Sequence, residues 1–211
     1  MPAVTADYAV NVLLGYLLGS VPFGLLVGHL WLGRDIRESG SGKTGTTNVL
    51  RTAGKIPAVL VMVADIGKGV APGLLGRYAF DSDGVAAAGA IACVAGHIWP
   101  VFAGFRGGRG VATAFGGILG LSPLLSLLFP VVGAALVIPT RYVSLMSVVG
   151  TPVCALIIAM LAIAGEQPWA FAWYAAGAVA LVEYKHIPNI QRLLAGTEPK
   201  IGRGGERKAT G

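Results

Sequence analysis

Three glycine-rich, cationic stretches of this chain carry side chains suited to holding anions, and they lie far apart in sequence. The first, residues 33–51, reads GRDIRESGSGKTGTTNVLR. Its glycines, Gly40, Gly42 and Gly45 among them, let backbone N–H groups converge on one point. Ser41, Thr44, Thr46, Thr47 and Asn48 add neutral donors, and Arg51 adds charge. Asn48 and Arg51 are one turn apart, which predicts a short helix beginning near Thr47 with that hydroxyl as its cap. The second stretch, residues 105–113, sets Arg106 and Arg109 among Gly107, Gly108 and Gly110. Amides opening the next helix, together with two guanidinium forks, would make a phosphate site. The third, residues 185–200, spaces His186, Asn189 and Arg192 three apart, so they share a face of an amphipathic helix if that helix survives Pro188. Each stretch also has a plainer reading: a flexible connector, ordinary topology-setting charge, and an interfacial anchor helix.

Other polar groups invite weaker readings. Gly42-Lys43-Thr44 suggests a nucleotide-binding P-loop, but the first glycine that motif requires falls at Arg37 and no strand pattern precedes it. Asp65 lies inside an apolar run, where a charge costs about 2.5–3.5 kcal/mol, so a partner is expected, with Lys68 the obvious one. The pair is structural or functional, and a helix broken at Gly67 or Gly69 would bring both nearer water. His97 reads as a packing residue and His29 as interfacial. Cys93 and Cys154 stand in apolar runs without metal-ligand spacing and read as buried small hydrophobes. Acidic residues are too scattered for a metal cluster, so neither metal nor cofactor is expected.

The elements that must position these groups are membrane helices. Of 211 residues, 55% are hydrophobic and 12% charged, with mean hydropathy +0.71. A soluble domain keeps roughly a quarter of its residues charged. Thirty-two Gly and twelve Pro suit helices that pack closely in lipid. The net charge of +6 points to lipid headgroups or phosphorylated substrates and not to nucleic acid. Residues 1–7 lack the basic start of a cleavable signal, so the first apolar run is expected to stay as an anchor.

The expected spans are 5–32, 56–78, 85–105, 142–164 and 169–183, plus two short segments from 111–139 split at the Gly120–Pro123 turn signal. That gives an all-α, polytopic protein of seven transmembrane helices, with a re-entrant hairpin at 111–139 as the alternative. An external N-terminus leaves Asp7, Asp81, Asp83 and Glu166 outside, with Arg77 at a helix end as the one basic exception. It places Arg34, Arg37, Lys43, Arg51, Lys55, Arg106, Arg109, Arg141 and the basic C-terminus in the cytoplasm, as the positive-inside rule asks. Residues 1–202 read as a single integral-membrane domain and 203–211 as a flexible tail.

On these residues the sequence resembles the bacterial acyl-phosphate:glycerol-3-phosphate acyltransferase family. The family pattern GSxPFG stands at 19–24, GSGNxGATNxxR at 40–51, DxxKG at 65–69, GHxxPxxxxFKGGKGVAT at 96–113 and HxxNIxRLLxGxE at 186–198. Lys43 replaces the usual Asn, Thr46 the usual Ala, and Arg106 and Arg109 the usual lysines, which keep the charge but gain a planar fork. The soluble-headed acyltransferase pattern HxxxxD is not met at His29, His97 or His186.

The resemblance implies seven transmembrane helices in a bacterial inner membrane and a cytoplasmic active site, with the chain acting as a monomer. It implies acyl transfer from a fatty acyl phosphate to the 1-hydroxyl of glycerol-3-phosphate, the first acylation of phospholipid synthesis, giving lysophosphatidic acid and inorganic phosphate. In that reading Ser41, Gly42, Gly45, Thr47 and Asn48 hold the acyl-phosphate head, with Gly40 in the same loop. Arg106, Gly107, Gly108, Arg109 and Gly110 join Arg51 in neutralising phosphate oxygens. Ser144, Asn189 and His186 complete the glycerol-phosphate pocket beside Arg192. Either His186 or the departing phosphate takes the hydroxyl proton. The competing class is an organic-phosphate transporter or binding protein using the same segments as a gate.

Overall fold

In the computed structural model, which describes residues 2–200, the apolar runs fold as helices that pack through their small residues. In order these are α1 (Pro2–Gly19), α2 (Phe23–Leu32), α3 (Thr46–Thr52), α4 (Lys55–Tyr78), α5 (Asp83–Ile98), α6 (Val111–Leu121), α7 (Pro123–Ser126), α8 (Leu128–Thr140), α9 (Val143–Leu145), α10 (Thr151–Ile163) and α11 (Trp169–Leu194). Short 3-10 turns occupy Ile36–Glu38 and Val101–Ala103, and a π-helical turn fills Met146–Gly150 between α9 and α10. The expected tail, 203–211, lies outside the described residues.

Glycines bring α1, α4, α5 and α6 into backbone contact. A methyl group on Gly15 or Gly19 would strike the α5 backbone at Gly89 or Cys93, and one on Gly69 or Gly73 would strike the α6 backbone near Thr113, Gly116 or Gly120. Both helices of the α4–α6 pair thus carry small residues four apart, the spacing that lets membrane helices approach. Those contacts run in the same direction along both chains, so α4 and α6 are parallel, while Gly76 against Ala86 and Asp65 against His97 make α4 and α5 antiparallel. Asn11 ties α1 to both, donating its amide to the carbonyls of Pro72 at 3.1 Å and Val85 at 2.8 Å.

Five helical stretches have the length and apolar composition to cross a bilayer: Val4–Leu32, Lys55–Tyr78, Asp83–Ala103, Pro123–Thr140 and Val143–Ile163. The first is interrupted at Val21–Pro22, where α1 ends and α2 begins, so the expected single span is two helices. The run 111–139 divides as expected: α6 ends at Leu121, and the Ser122 hydroxyl caps α7 by accepting from the Leu125 N–H. With 11 residues, α6 is about 16 Å long. It starts beside Gly69, in the middle of α4, and ends at Leu121, whose carbonyl accepts from Arg77 near the end of α4. The glycine–arginine loop therefore fills the half of this pass that α6 does not. α4 itself runs unbroken through Gly67 and Gly69, so no break there brings Asp65 and Lys68 nearer water.

The third polar stretch is not a separate surface helix. α11 continues through Pro188 to Leu194, so its apolar part and its polar end are one rod of 26 residues.

Candidate active site

The three polar stretches come near one another, since Arg51, Arg109 and Arg192, one from each, act on a common region. Arg37 pairs with Asp35 at 2.7 Å and donates to the Ala103 carbonyl at 3.0 Å, joining the first loop to the second. Lys185 lies 5.5 Å from the Trp99 ring, and Lys200 lies 4.8 Å from that of Tyr142.

Asn48 organises the first loop. It is 1% exposed; its amide nitrogen donates to the carbonyls of Ile36, Ser39 and Lys43, and its oxygen accepts from the Ser41 N–H at 2.7 Å. The side chain is thus engaged by the loop's own backbone and shapes the loop expected to hold the acyl-phosphate head. Gly40 is required by the same packing: its φ is +64°, and a side chain would press on Asn48 and Thr52. Gly42 also has a left-handed φ of +67°. α3 begins one residue earlier than expected, at Thr46, with Gly45 as N-cap and no side-chain cap from Thr47. Ser41 and Thr47 are left exposed at the loop's rim. Beneath them, α2 supports the loop through glycine: any side chain on Gly24 would strike the Thr44 backbone, and one on Gly28 the Ile36 side chain.

The second loop separates the two arginines whose forks were expected to serve one phosphate site. Arg106 is exposed and acts on Asp35, whereas Arg109 points into the end of the bundle. Gly107 and Gly108 are buried, and the Gly108 N–H donates to the His97 carbonyl at 3.2 Å, so that amide is not free for an anion. Gly110, at φ +85°, is the N-cap of α6, and no side chain caps the first turn that follows.

Arg109 is where the three stretches meet. Burial pushes its guanidinium below the usual arginine range, and the neighbouring cations Arg192 and Arg51 push it further, with Glu198 opposing them. Burial and Lys43 likewise lower Lys185. Cations from all three stretches therefore crowd one region.

On α11, past the apolar stretch ending at Glu183, His186 and Asn189 are buried on one face. Nδ1 of His186 lies 2.8 Å from the Val182 carbonyl, which fixes the proton on Nδ1 and leaves Nε2 as an acceptor. Burial, with Arg109 nearby, pushes the imidazole down to about 4, so it is neutral at physiological pH. Asn189 donates to Glu198 Oε1 at 2.7 Å and keeps its own buried oxygen unpaired. Arg192 donates to Glu198 Oε2 at 2.7 Å. Burial alone would raise the Glu198 carboxyl, but the Asn189 amide, the Ser144 hydroxyl and Arg192 together hold it below the usual carboxylate range. Ser144, buried just before the π-helical turn, lies near the same carboxylate, with its hydroxyl unpaired. Glu198 closes the HxxNIxRLLxGxE pattern, and its spacing from Asn189 and Arg192 is the sequence signal that points to it.

An apolar groove leads from Val111, next to Gly110, between α6, α10 and α11. Phe115, Phe129, Cys154, Ile158 and Ala178 line it. Both cysteines are free and buried.

A protein-family model described as glycerol-3-phosphate acyltransferase matches residues 9–196. The chain is 41% identical over 187 residues to a glycerol-3-phosphate acyltransferase of Desulforamulus reducens, covering 89% of this chain and 92% of that one. It is 44% identical over 191 residues to the enzyme of the same name from Rubrobacter xylanophilus, covering 90% and 94%. Among solved structures it is similar to PlsY, described as an integral membrane glycerol 3-phosphate acyltransferase, in its glycerol 3-phosphate form. The TM-score is 0.83 at 40% identity, covering 92% of this chain and 96% of that one.

Proposed function

The chain belongs to the glycerol-3-phosphate acyltransferase family, and from that premise we propose that it moves a fatty acyl group from an acyl phosphate to the 1-hydroxyl of glycerol-3-phosphate. It is a multi-pass membrane acyltransferase of phospholipid synthesis. Lysophosphatidic acid and inorganic phosphate are the proposed products. The carrying observation is the crowd of Arg51, Arg109 and Arg192 with Glu198 as their one acidic neighbour among the groups acting on Arg109. Like charges held together without enough counter-charge are relieved by bound anions, and two phosphate groups would supply them.

An acyl phosphate is a mixed anhydride with a good leaving group, so placing two anions is the main task. Ser41, Gly42, Gly45 and Thr47 form the rim for the acyl-phosphate head, on the loop that Asn48 clamps. Arg51, Arg109 and the uncapped first turn of α6 neutralise its oxygens and the oxyanion that develops on the carbonyl. Ser144, His186, Asn189 and Arg192 receive glycerol-3-phosphate, with the free Asn189 oxygen and His186 Nε2 accepting from its hydroxyls. The 1-oxygen bonds to the acyl carbon, the carbon–oxygen bond to phosphate breaks, and the hydroxyl proton must go to a base. Burial holds the His186 imidazole at about 4, whereas a phosphate's second ionisation lies at about 6. This supports the departing phosphate as the proton acceptor, with His186 orienting the attacking hydroxyl. The apolar groove from Val111 to Ala178 takes the acyl chain.

Seven passes follow if α6 and the apolar part of α11 are counted with the five full-length stretches. Positive-inside charge then sets the site on the cytoplasmic side of the bacterial inner membrane, with the chain acting as a monomer and without metal or cofactor. The transport alternative wants a polar midplane site approached from both faces, and the anion-facing side chains described above all gather at one end. Purified protein given palmitoyl phosphate and labelled glycerol-3-phosphate, without acyl-CoA or acyl carrier protein, is expected to form labelled lysophosphatidic acid. No product would overturn the assignment of the donor.

A further inference from the structure

Asp65 is 2% exposed and has two basic neighbours. Lys68 Nζ lies 2.8 Å and His97 Nδ1 lies 3.4 Å from its Oδ1. A charge pair inside a membrane bundle is complete with Asp65 and Lys68 alone, and their placement one turn apart on α4 would satisfy it. Both basic groups reach further. Lys68 donates to the Val21 carbonyl at 2.9 Å, in the interruption between α1 and α2, and lies 5.4 Å from the Phe23 ring. The next residue, Gly24, supports Thr44 of the first anion loop.

His97 reaches the second loop. A side chain on Gly108 would collide with Nε2 and both adjoining carbons of the His97 ring, and one on Gly107 with the His97 carbonyl and the Pro100 ring. The Gly108 N–H is bonded to that same carbonyl. The loop thus rests on His97 by ring and backbone together, one residue before Arg109. We propose that Asp65 is a positioning residue for acyl transfer. Through His97 it seats Gly108, and so sets the direction of Arg109 and the first turn of α6; through Lys68 it steadies the support of the first loop. This inference rests on the reading of those loops as the acyl-phosphate cradle and adds the device that aligns them.

The test is a double-mutant cycle between His97→Ala and Gly108→Ala in purified, monodisperse protein, measuring kcat and KM for palmitoyl phosphate and for glycerol-3-phosphate. Each single variant is expected to raise KM for palmitoyl phosphate about tenfold while KM for glycerol-3-phosphate stays within about twofold. The double variant is expected to be no worse than either single one, because the ring that the added methyl group strikes has gone. Asp65→Asn should resemble His97→Ala in the same split. If Asp65→Asn fails to fold, the 97/108 cycle decides alone. Multiplying losses in the double variant, or equal damage to both KM values, would overturn the positioning role. That failure is distinct from failure of the cradle itself, which would show as Arg109→Ala turning over palmitoyl phosphate normally.

Discussion

Asn189 on α11 donates its side-chain amide to the buried carboxylate of Glu198 at 2.7 Å, closing the end of the helix onto the segment that follows it. The same carboxylate holds Arg192, so one acidic group fixes two of the polar side chains aligned on α11. Glu198→Ala leaves Asn189 and Arg192 without their acceptor. It is expected to cost about 1–3 kcal/mol of stability and to lower activity more than Glu198→Gln, which keeps one acceptor oxygen. Thermal unfolding in detergent, followed with turnover, checks both.

Acid should loosen this end of the protein in two steps. His186 is held at about 4 against an ordinary value of 6.5. Between those values the unfolded chain binds more protons, so stability rises with pH across that window and falls as pH drops through it. Glu198 is held below its ordinary value of 4.5, so its contribution is present above that value and is lost as pH falls through the folded one. Melting temperature measured from pH 7 to pH 4 should decline. His186→Gln should flatten the decline between about 6.5 and 4 without removing the more acidic part.

His186→Gln can still orient a hydroxyl but cannot take a proton. With the departing phosphate as the proposed base, its turnover is expected to fall less than about tenfold, with the shape of the pH–rate profile kept. A drop of about a thousandfold, or loss of the acidic limb of the profile, would make His186 the base instead.

Arg109→Ala removes the inward guanidinium on which the three stretches converge. A loss in kcat/KM of about a hundred- to a thousandfold is expected. Arg109→Lys, which keeps charge without the planar fork, should lose far less. Arg106→Ala, at an exposed position beside Asp35, is expected to stay within about fivefold of the parent. Steady-state rates with palmitoyl phosphate separate the three.

Ala178→Leu narrows the groove that starts at Val111. Each methylene denied burial is worth about 0.8 kcal/mol, or roughly fourfold. The ratio of kcat/KM for lauroyl over palmitoyl phosphate should therefore rise by at least about fourfold. An unchanged ratio would place the acyl chain elsewhere.

Much of this was legible in residue order. Hydropathy marked the apolar runs, Ser122–Pro123 marked the split after α6, and the three-residue spacing of His186, Asn189 and Arg192 anticipated their alignment, because α11 carries on through Pro188. These are local properties: helix period, turn chemistry and the need of backbone amides in lipid to bond within their own segment. Roles that depend on what a side chain meets across the bundle were not legible. That Asn48 clamps its own loop, that His97 lies between Asp65 and Gly108, and that Arg106 and Arg109 face different neighbours could not be read from residue order. A polar atom's function follows from which donor or acceptor is left over after folding, and that remainder is set by contacts between α4, α5, α11 and loops tens of residues apart, where only the tertiary structure decides the pairing.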